Sequence, residues 1–254
     1  MTETQLARDK QRSGPPLYFF YRWLILAPML ALSTAALGSI ITLVSFLGAP
    51  DWASRVFGTF WARLNMAVSF MSLEREGEEK IAAGQSYVVV ANHQSLVDIY
   101  VIYGYLPLEI KWVMKQELRA VPVLGMACEA MGHIIIDRSN TEAALKSIND
   151  ARHRIQGGIS VVFFPEGTRS RTGALGQFKK GAFRLAQELQ LPILPVTIHN
   201  TRRVLPSDGT AIVPGKVRLE IHDPIETKGA GPADVARLVN KCREVIAKSL
   251  EGEV

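Results

Sequence analysis

Charge is missing where it matters first: from Trp23 to Pro50 the chain has no Asp, Glu, Lys, Arg or His. Roughly 20 apolar residues cross a hydrocarbon core, so this run is long enough to enter one. It is too long, and followed by the wrong residues, for a cleaved signal peptide. Cysteine is scarce too, with Cys128 and Cys242 the only two. They match no metal or redox spacing, which argues against a disulfide scaffold. They read as packing residues of a protein facing a reducing, cytosolic compartment. There is no Gly-x-Ser-x-Gly elbow and no His-Glu-x-x-His zinc site, and no metal or cofactor is expected. No internal repeat, low-complexity tract or dividing linker occurs.

What is present is apolar and basic. Mean hydropathy is +0.11, high for a soluble domain, and the excess lies early in the chain. The net charge of +5 suits an anionic lipid surface or a phosphorylated substrate. The basic residues are spread and no nucleic-acid motif appears, so no nucleic-acid partner is expected.

The flanks of the apolar run create a conflict. Arg8, Lys10, Arg12 and Arg22 precede it, while only Arg55 and Arg63 follow before Ser72. The positive-inside rule keeps such an N-terminus cytoplasmic, and a single span would then export everything after it. A re-entrant or shallow element, bent at Pro28 and Gly38, would remove the conflict. The next stretch has the right pattern for an interfacial helix. Trp52, Val56, Phe57, Phe60, Trp61, Leu64, Val68 and Met71 recur at helical spacing, with Arg55, Thr59 and Arg63 on the other side. An amphipathic helix packed on the following domain has the same pattern. Residues 1–72 are thus expected to be membrane-anchoring helices and 73–254 a separate α/β domain, large enough for its own core.

Beyond Glu74, short apolar runs alternate with helical stretches. Strands are expected at Ser86–Ala91, Ile110–Met114, His133–Ile136, Ile159–Phe164, Ile193–Ile198 and Val217–His222. Helices are expected at Asn140–Gln156, Gln177–Leu189 and Ala233–Leu250. The expected class is α/β, a mixed twisted sheet flanked by helices.

Four segments concentrate the chemistry. Asn92-His93-Gln94-Ser95-Leu96-Val97-Asp98 follows an apolar strand and supplies a histidine and a carboxylate. On one continuous helix these two would lie about 140° apart, so they meet only if His93 is in the turn and Asp98 in the helix after it. A carboxylate on one imidazole nitrogen fixes the tautomer and leaves the other nitrogen to take a proton. Ser95 leaves a serine acyl-enzyme as an alternative. Phe164-Pro165-Glu166-Gly167-Thr168-Arg169-Ser170 leaves another strand. Gly167 permits close backbone approach, and Arg169 can pair with a phosphate, supported by Ser170 and Arg171. Glu166 is suited to accept from a hydroxyl or to hold an arginine. Arg138, with Asp137 beside it, follows Gly132-His133-Ile134-Ile135-Ile136 as a second phosphate ligand, and Lys115 is a third. Lys179 and Lys180 fit a phosphate too, but read first as a solvated helix start. The fourth segment, Leu191-Pro192-Ile193-Leu194-Pro195-Val196, reads as a buried strand. His153, His199 and His222 have no comparable context.

In this order and spacing the four segments resemble the glycerolipid acyltransferases, strongly from Ser72 to His199 and loosely over the whole chain. The resemblance implies transfer of an acyl group from a thioester to a glycerol-phosphate hydroxyl, with His93 and Asp98 as the base. It implies that Glu166, Gly167, Thr168 and Arg169 bind the acceptor. Relatives carry a two-helix N-terminal unit that dips into one leaflet. Phosphate ligands and an anchor favour lysophosphatidic acid as acceptor, with acyl-CoA or acyl carrier protein as donor. The bilayer is a further partner, met at the cytoplasmic face, with a bacterial inner membrane expected. Position 133 varies widely among relatives and says nothing of substrate. Acylation of another lysolipid is the nearest rival; a non-catalytic lipid-binding protein is a more distant one, which would not need His93 and Asp98.

Overall fold

The computed structural model describes residues 16–137, 150, 154, 155, 157–207 and 212–251. Pro16–Tyr21 is α-helical, the backbone widens to a π-helix at Arg22–Leu26, and it continues as α1 (Ala27–Phe46). Pro28 accounts for the widening. It has no N–H to offer the preceding turn, and the Ala27 N–H reaches back to the Arg22 carbonyl instead. The expected bend is not a break, because helical residues run on past Pro28 and Gly38. Gly38 serves close approach: a Cβ there would lie 2.7 Å from Val123 Cγ1. The Tyr18–Phe46 stretch is long and apolar enough to cross a membrane, and only 22% of its most apolar part is buried in the protein.

Pro50–Ala53 and the π-helical Ser54–Gly58 lead into α2 (Thr59–Val68), which lies against α1. The Tyr21 hydroxyl donates to the Val68 carbonyl at 2.6 Å, and Trp61 Nε1 donates to Thr34 Oγ1 at 3.0 Å. Asn65 Nδ2 adds a bond to Ser33 Oγ at 3.3 Å.

The strands are β1 (Met71–Glu76), β2 (Val88–Ala91), β3 (Glu109–Lys115), β4 (Ile134–Ile136), β5 (Ile159–Phe163), β6 (Ile193–His199) and β7 (Gly215–Ile221). They form one sheet in the order β1-β7-β6-β2-β5-β3-β4. Pairing is parallel everywhere except between β6 and β7, so β1 and β7 run against the other five. The sheet is therefore mixed, as expected. β1, absent from the expected strands, crosses the expected boundary between residues 72 and 73.

Between the strands lie α3 (Val97–Tyr105), α4 (Leu124–Ala130), α5 (Gly181–Leu189) and α6 (Thr201–Val204), with α7 (Val235–Glu251) last. The inner strand β2 is buried on both faces, which explains its unbroken apolar run. Val89 and Ala91 face one core, shared with Ala62, Met66, Val101 and Ile102 of α2 and α3. Val88 and Val90 face the other, shared with Phe183, Leu185, Leu238 and Cys242 of α5 and α7. Both cysteines are free and buried, and burial pushes the Cys128 thiol up to about 12. The helix expected over 140–156 falls largely outside the described residues, as does His153.

Specific contacts seat the helical pair on the sheet. Lys111 Nζ, buried on β3, bonds Asp51 Oδ1 at 2.5 Å and the Met131 carbonyl at 2.6 Å. The Ser54 and Tyr103 hydroxyls lie 2.7 Å apart, and Arg63 Nε donates to the Gly104 carbonyl at 2.7 Å. Small residues Ala53, Ser54, Gly58 and Ala62 face inward.

Candidate active site

Five parallel strands bring their C-terminal ends to one edge of the sheet, which is where ligand sites open in α/β folds. His93 lies two residues beyond the end of β2, and Asp98 is the second residue of α3. The turn followed by a helix therefore closes the pair: His93 Nδ1 lies 2.8 Å from Asp98 Oδ2. The carboxylate can only accept, so Nδ1 is the donor, which leaves Nε2 as the nitrogen suited to take a proton from a substrate.

Asp98 is fully buried, and its carboxylate is saturated by the protein. Oδ2 also accepts the N–H groups of Gln94 at 2.7 Å and Ser95 at 2.9 Å. Oδ1 accepts the Thr201 hydroxyl at 2.5 Å. His93 keeps 14% of its side chain exposed, and its Nε2 has no partner among the described residues. Its ring stacks on Phe164 with centroids 3.9 Å apart and planes 11° from parallel. The stack and the bond to Asp98 leave the imidazole one orientation.

Ser95 cannot share the role of nucleophile in this arrangement. Its hydroxyl is buried, donates to the Leu205 carbonyl at 2.7 Å and accepts the Val97 N–H at 3.1 Å. Asn92 is committed as well, clamping the end of β2 to β6. Its side chain accepts the Ile198 N–H at 2.8 Å and donates to the Ile198 carbonyl at 2.9 Å.

The segment after β5 lies directly against His93. Glu166 Oε1 accepts the His93 N–H and Oε2 accepts the Gly176 N–H, each at 2.8 Å. The Ser170 N–H donates to the His93 carbonyl at 2.8 Å, and Gln94 Nε2 donates to the Gly173 carbonyl at 3.1 Å. Burial raises the Glu166 pKa above the usual carboxylate value, opposed by the two N–H bonds. Gly167 has φ +75°, a left-handed conformation, and a Cβ there would stand 2.9 Å from Lys179 Nζ. Lys179 thus lies against the segment instead of merely starting a solvated helix. Thr168 is exposed, and the half-exposed Arg169 has no side-chain partner among the described residues.

Lys115 ends β3 at the same edge, half-exposed, 3.9 Å from Glu117. It pairs in register with Ile136, two residues before Arg138, and Arg138 itself lies outside the described residues. Pro195 sits in the interior strand β6, where its carbonyl accepts the His222 N–H at 3.0 Å. His133 is buried, and burial, with Lys111 nearby, pushes its pKa down to about 3. No group of three or more His, Cys, Asp or Glu placed to hold a metal occurs among the described residues.

Sequence reasoning missed Thr201 and the bracing of His93 by Phe164. Thr201 stands 103 residues from Asp98, and no local pattern marks it. Phe164 was in view as part of its segment, and its adjacency to a strand end was the available signal.

The fold and site define a mixed α/β domain whose strand edge presents a carboxylate-backed histidine beside a glycine-containing, arginine-bearing loop. The acyltransferase family profile matches residues 72–199, half of the chain, and the chain belongs to that family. Similar curated proteins include a chloroplastic 1-acyl-sn-glycerol-3-phosphate acyltransferase of Arabidopsis thaliana, 35% identical over 202 residues. That match covers 78% of this chain and 55% of the relative. The human 1-acyl-sn-glycerol-3-phosphate acyltransferase alpha is 33% identical over 172 residues, covering 67% of this chain and 61% of the relative. The chain thus spans little more than half the length of these proteins. The crystal structure of the 1-acyl-sn-glycerophosphate (LPA) acyltransferase PlsC from Thermotoga maritima superposes with a TM-score of 0.75 at 28% identity. That likeness covers 90% of this chain and 93% of the other.

Proposed function

We propose that the protein transfers a fatty acyl group from an acyl thioester to the sn-2 hydroxyl of 1-acyl-sn-glycerol 3-phosphate, giving phosphatidic acid. The observation that carries this reading is the His93–Asp98 contact at 2.8 Å, with Nε2 at the strand edge and no partner for it among the described residues. Nε2 takes the proton of the acceptor hydroxyl as its oxygen attacks the thioester carbonyl. Asp98 stabilises the imidazolium that forms. The tetrahedral intermediate collapses, the C–S bond breaks, and the proton on His93 passes to the departing thiolate.

Lys115, Arg138, Thr168 and Arg169 are the proposed phosphate ligands, with backbone approach at Gly167. Glu166 holds this loop against His93 through its two N–H bonds. The apolar α1 and its exposed neighbours are the proposed membrane attachment, at the cytoplasmic face where thioester donors are found. A bacterial inner membrane is the proposed setting. The donor is acyl-CoA or acyl carrier protein.

The test is an acyl-transfer assay on purified protein with lysophosphatidic acid beside other lysolipids, each donor in turn. Phosphatidic acid as the preferred product, lost in His93→Ala, is expected. Preference for another lysolipid overturns the acceptor, and full activity in His93→Ala overturns the base.

A further inference from the structure

Resting on the proposed His93 base, we infer that Thr201 is a positioning residue for it, and that the fourth segment serves the reaction through Thr201. The buried Asp98 carboxylate has two oxygens in unequal settings. Oδ2 is held three ways, by the His93 ring and two N–H groups from its own turn. Among the described residues Oδ1 has one hydrogen-bond partner, the hydroxyl of Thr201 at 2.5 Å. Both residues are fully buried, so no solvent replaces a lost partner at Oδ1.

The placement of Thr201 depends on β6 throughout. Asn200 takes a left-handed backbone, φ 66°, and turns the chain at the end of the strand so that Thr201 opens α6 under Asp98. β6 is locked to β2 by the in-register pairs Val90–Pro195 and Ala91–Val196 and by the two-bond clamp of Asn92 on Ile198. Pro192 accepts the Val88 N–H, so both ends of β2 are tied to this segment. The buried strand thus has a chemical consequence: it sets the distance between the Thr201 hydroxyl and the carboxylate behind the base. With that hydroxyl gone, the Asp98 charge is less well held. The carboxylate is then free to turn about its remaining bonds, and the His93 ring that it orients through Oδ2 loses its fixed position.

Thr201→Val keeps the shape and removes only the hydroxyl, Thr201→Ser keeps the hydroxyl and removes only the methyl, and Thr201→Ala guards against misfolding of the valine variant. Expected in Thr201→Val and Thr201→Ala is a fall in kcat of about ten- to a hundredfold, the cost of one hydrogen bond to a charged group. Acceptor KM stays within about twofold, because no substrate contact changes. Thr201→Ser restores kcat. Unchanged kcat in folded Thr201→Val or Thr201→Ala overturns the inference. So does equal loss in Thr201→Ser, which would mean packing alone. These outcomes separate from failure of the base itself, which shows as activity surviving in His93→Ala.

Discussion

The helical pair and the sheet sort their side chains by opposite rules. In the sheet, large apolar groups such as Leu194, Ile198 and Leu219 are inside and fully buried. Along 52–62 the inward residues are Ala53, Ser54, Gly58 and Ala62, while Trp52, Val56 and Phe60 point out at 47%, 40% and 54% exposure. On α1, Leu32, Leu43 and Phe46 are exposed in the same way, and so are Trp23 and Leu24 before it. Small residues inward allow close helix approach, and an outward face this apolar is far larger than the patches of a water-soluble surface. The difference teaches that the two regions sort apolar surface in opposite directions. The sheet folds by leaving water, whereas the helices leave large apolar side chains outside the protein.

Several measurements would break or sharpen this contrast, beginning with the largest effect. Asp98→Asn keeps the shape of the buried carboxylate but removes its charge. It is expected to lower kcat by about 10²- to 10⁴-fold, the range of general-base assistance, with thermal stability little changed. A variant as active as the parent would detach the sheet edge from the chemistry. Next is the contact between the two regions. A Cβ on Gly58 would stand 2.6 Å from the Tyr103 hydroxyl, which Ser54 and Met131 hold in place. Gly58→Ala is therefore expected to cost about 1–3 kcal/mol by overpacking, read from denaturant or thermal melts in detergent.

Replacing Trp52, Val56 and Phe60 together by serine removes outward apolar area without touching the sheet. Sedimentation with anionic vesicles should show several-fold weaker binding, while turnover on a short-chain acceptor in detergent is retained. Undiminished vesicle binding would confine membrane contact to α1. The smallest effect concerns pH. His133 stays neutral in the fold down to about pH 3, whereas in the unfolded chain it takes a proton near 6.5. The unfolded state binds more protons between these values, so this contribution to stability is full above about 6.5. It is lost progressively as pH falls toward 3. His133→Gln should flatten that part of a melting-temperature profile; an unaltered profile would assign the acid sensitivity elsewhere.

Much of this was legible in the sequence wherever a local pattern carried the information. β2, β3, β5 and β6 announced themselves because strands buried on both faces are rich in apolar residues, unbroken in β2 and interrupted only by Lys111, Ser160 and Thr197 within the others. β1 did not, since Met71-Ser72-Leu73-Glu74-Arg75-Glu76 is an edge strand. Its charged residues pair with Lys216 and Arg218 of β7 beyond the reach of any local pattern. The direction of the helical pair was only half legible. Helical spacing separates Trp52, Val56 and Phe60 from Arg55 and Arg63, but no periodicity states which face meets the rest of the protein and which looks outward.

At the site, the separation of His93 and Asp98 required a turn followed by a helix, and the structure has both. The rival part for Ser95 needed coordinates to settle, because its buried bond to Leu205 spans 110 residues. Thr201 and Glu166 make the same point: each acts on the first segment from a distant strand end. By itself, the sequence determined the apolar N-terminal run, the α/β alternation and the residue types suited to moving a proton and meeting a phosphate. These follow from composition, periodicity and short spacing, which are properties of the chain within a few residues. Only the tertiary structure decided which hydroxyls are committed to buried bonds, which carboxylate oxygen is held, and which helix faces look outward. Those depend on groups brought together across the sheet, where burial removes water and leaves each polar atom to the partner the fold provides.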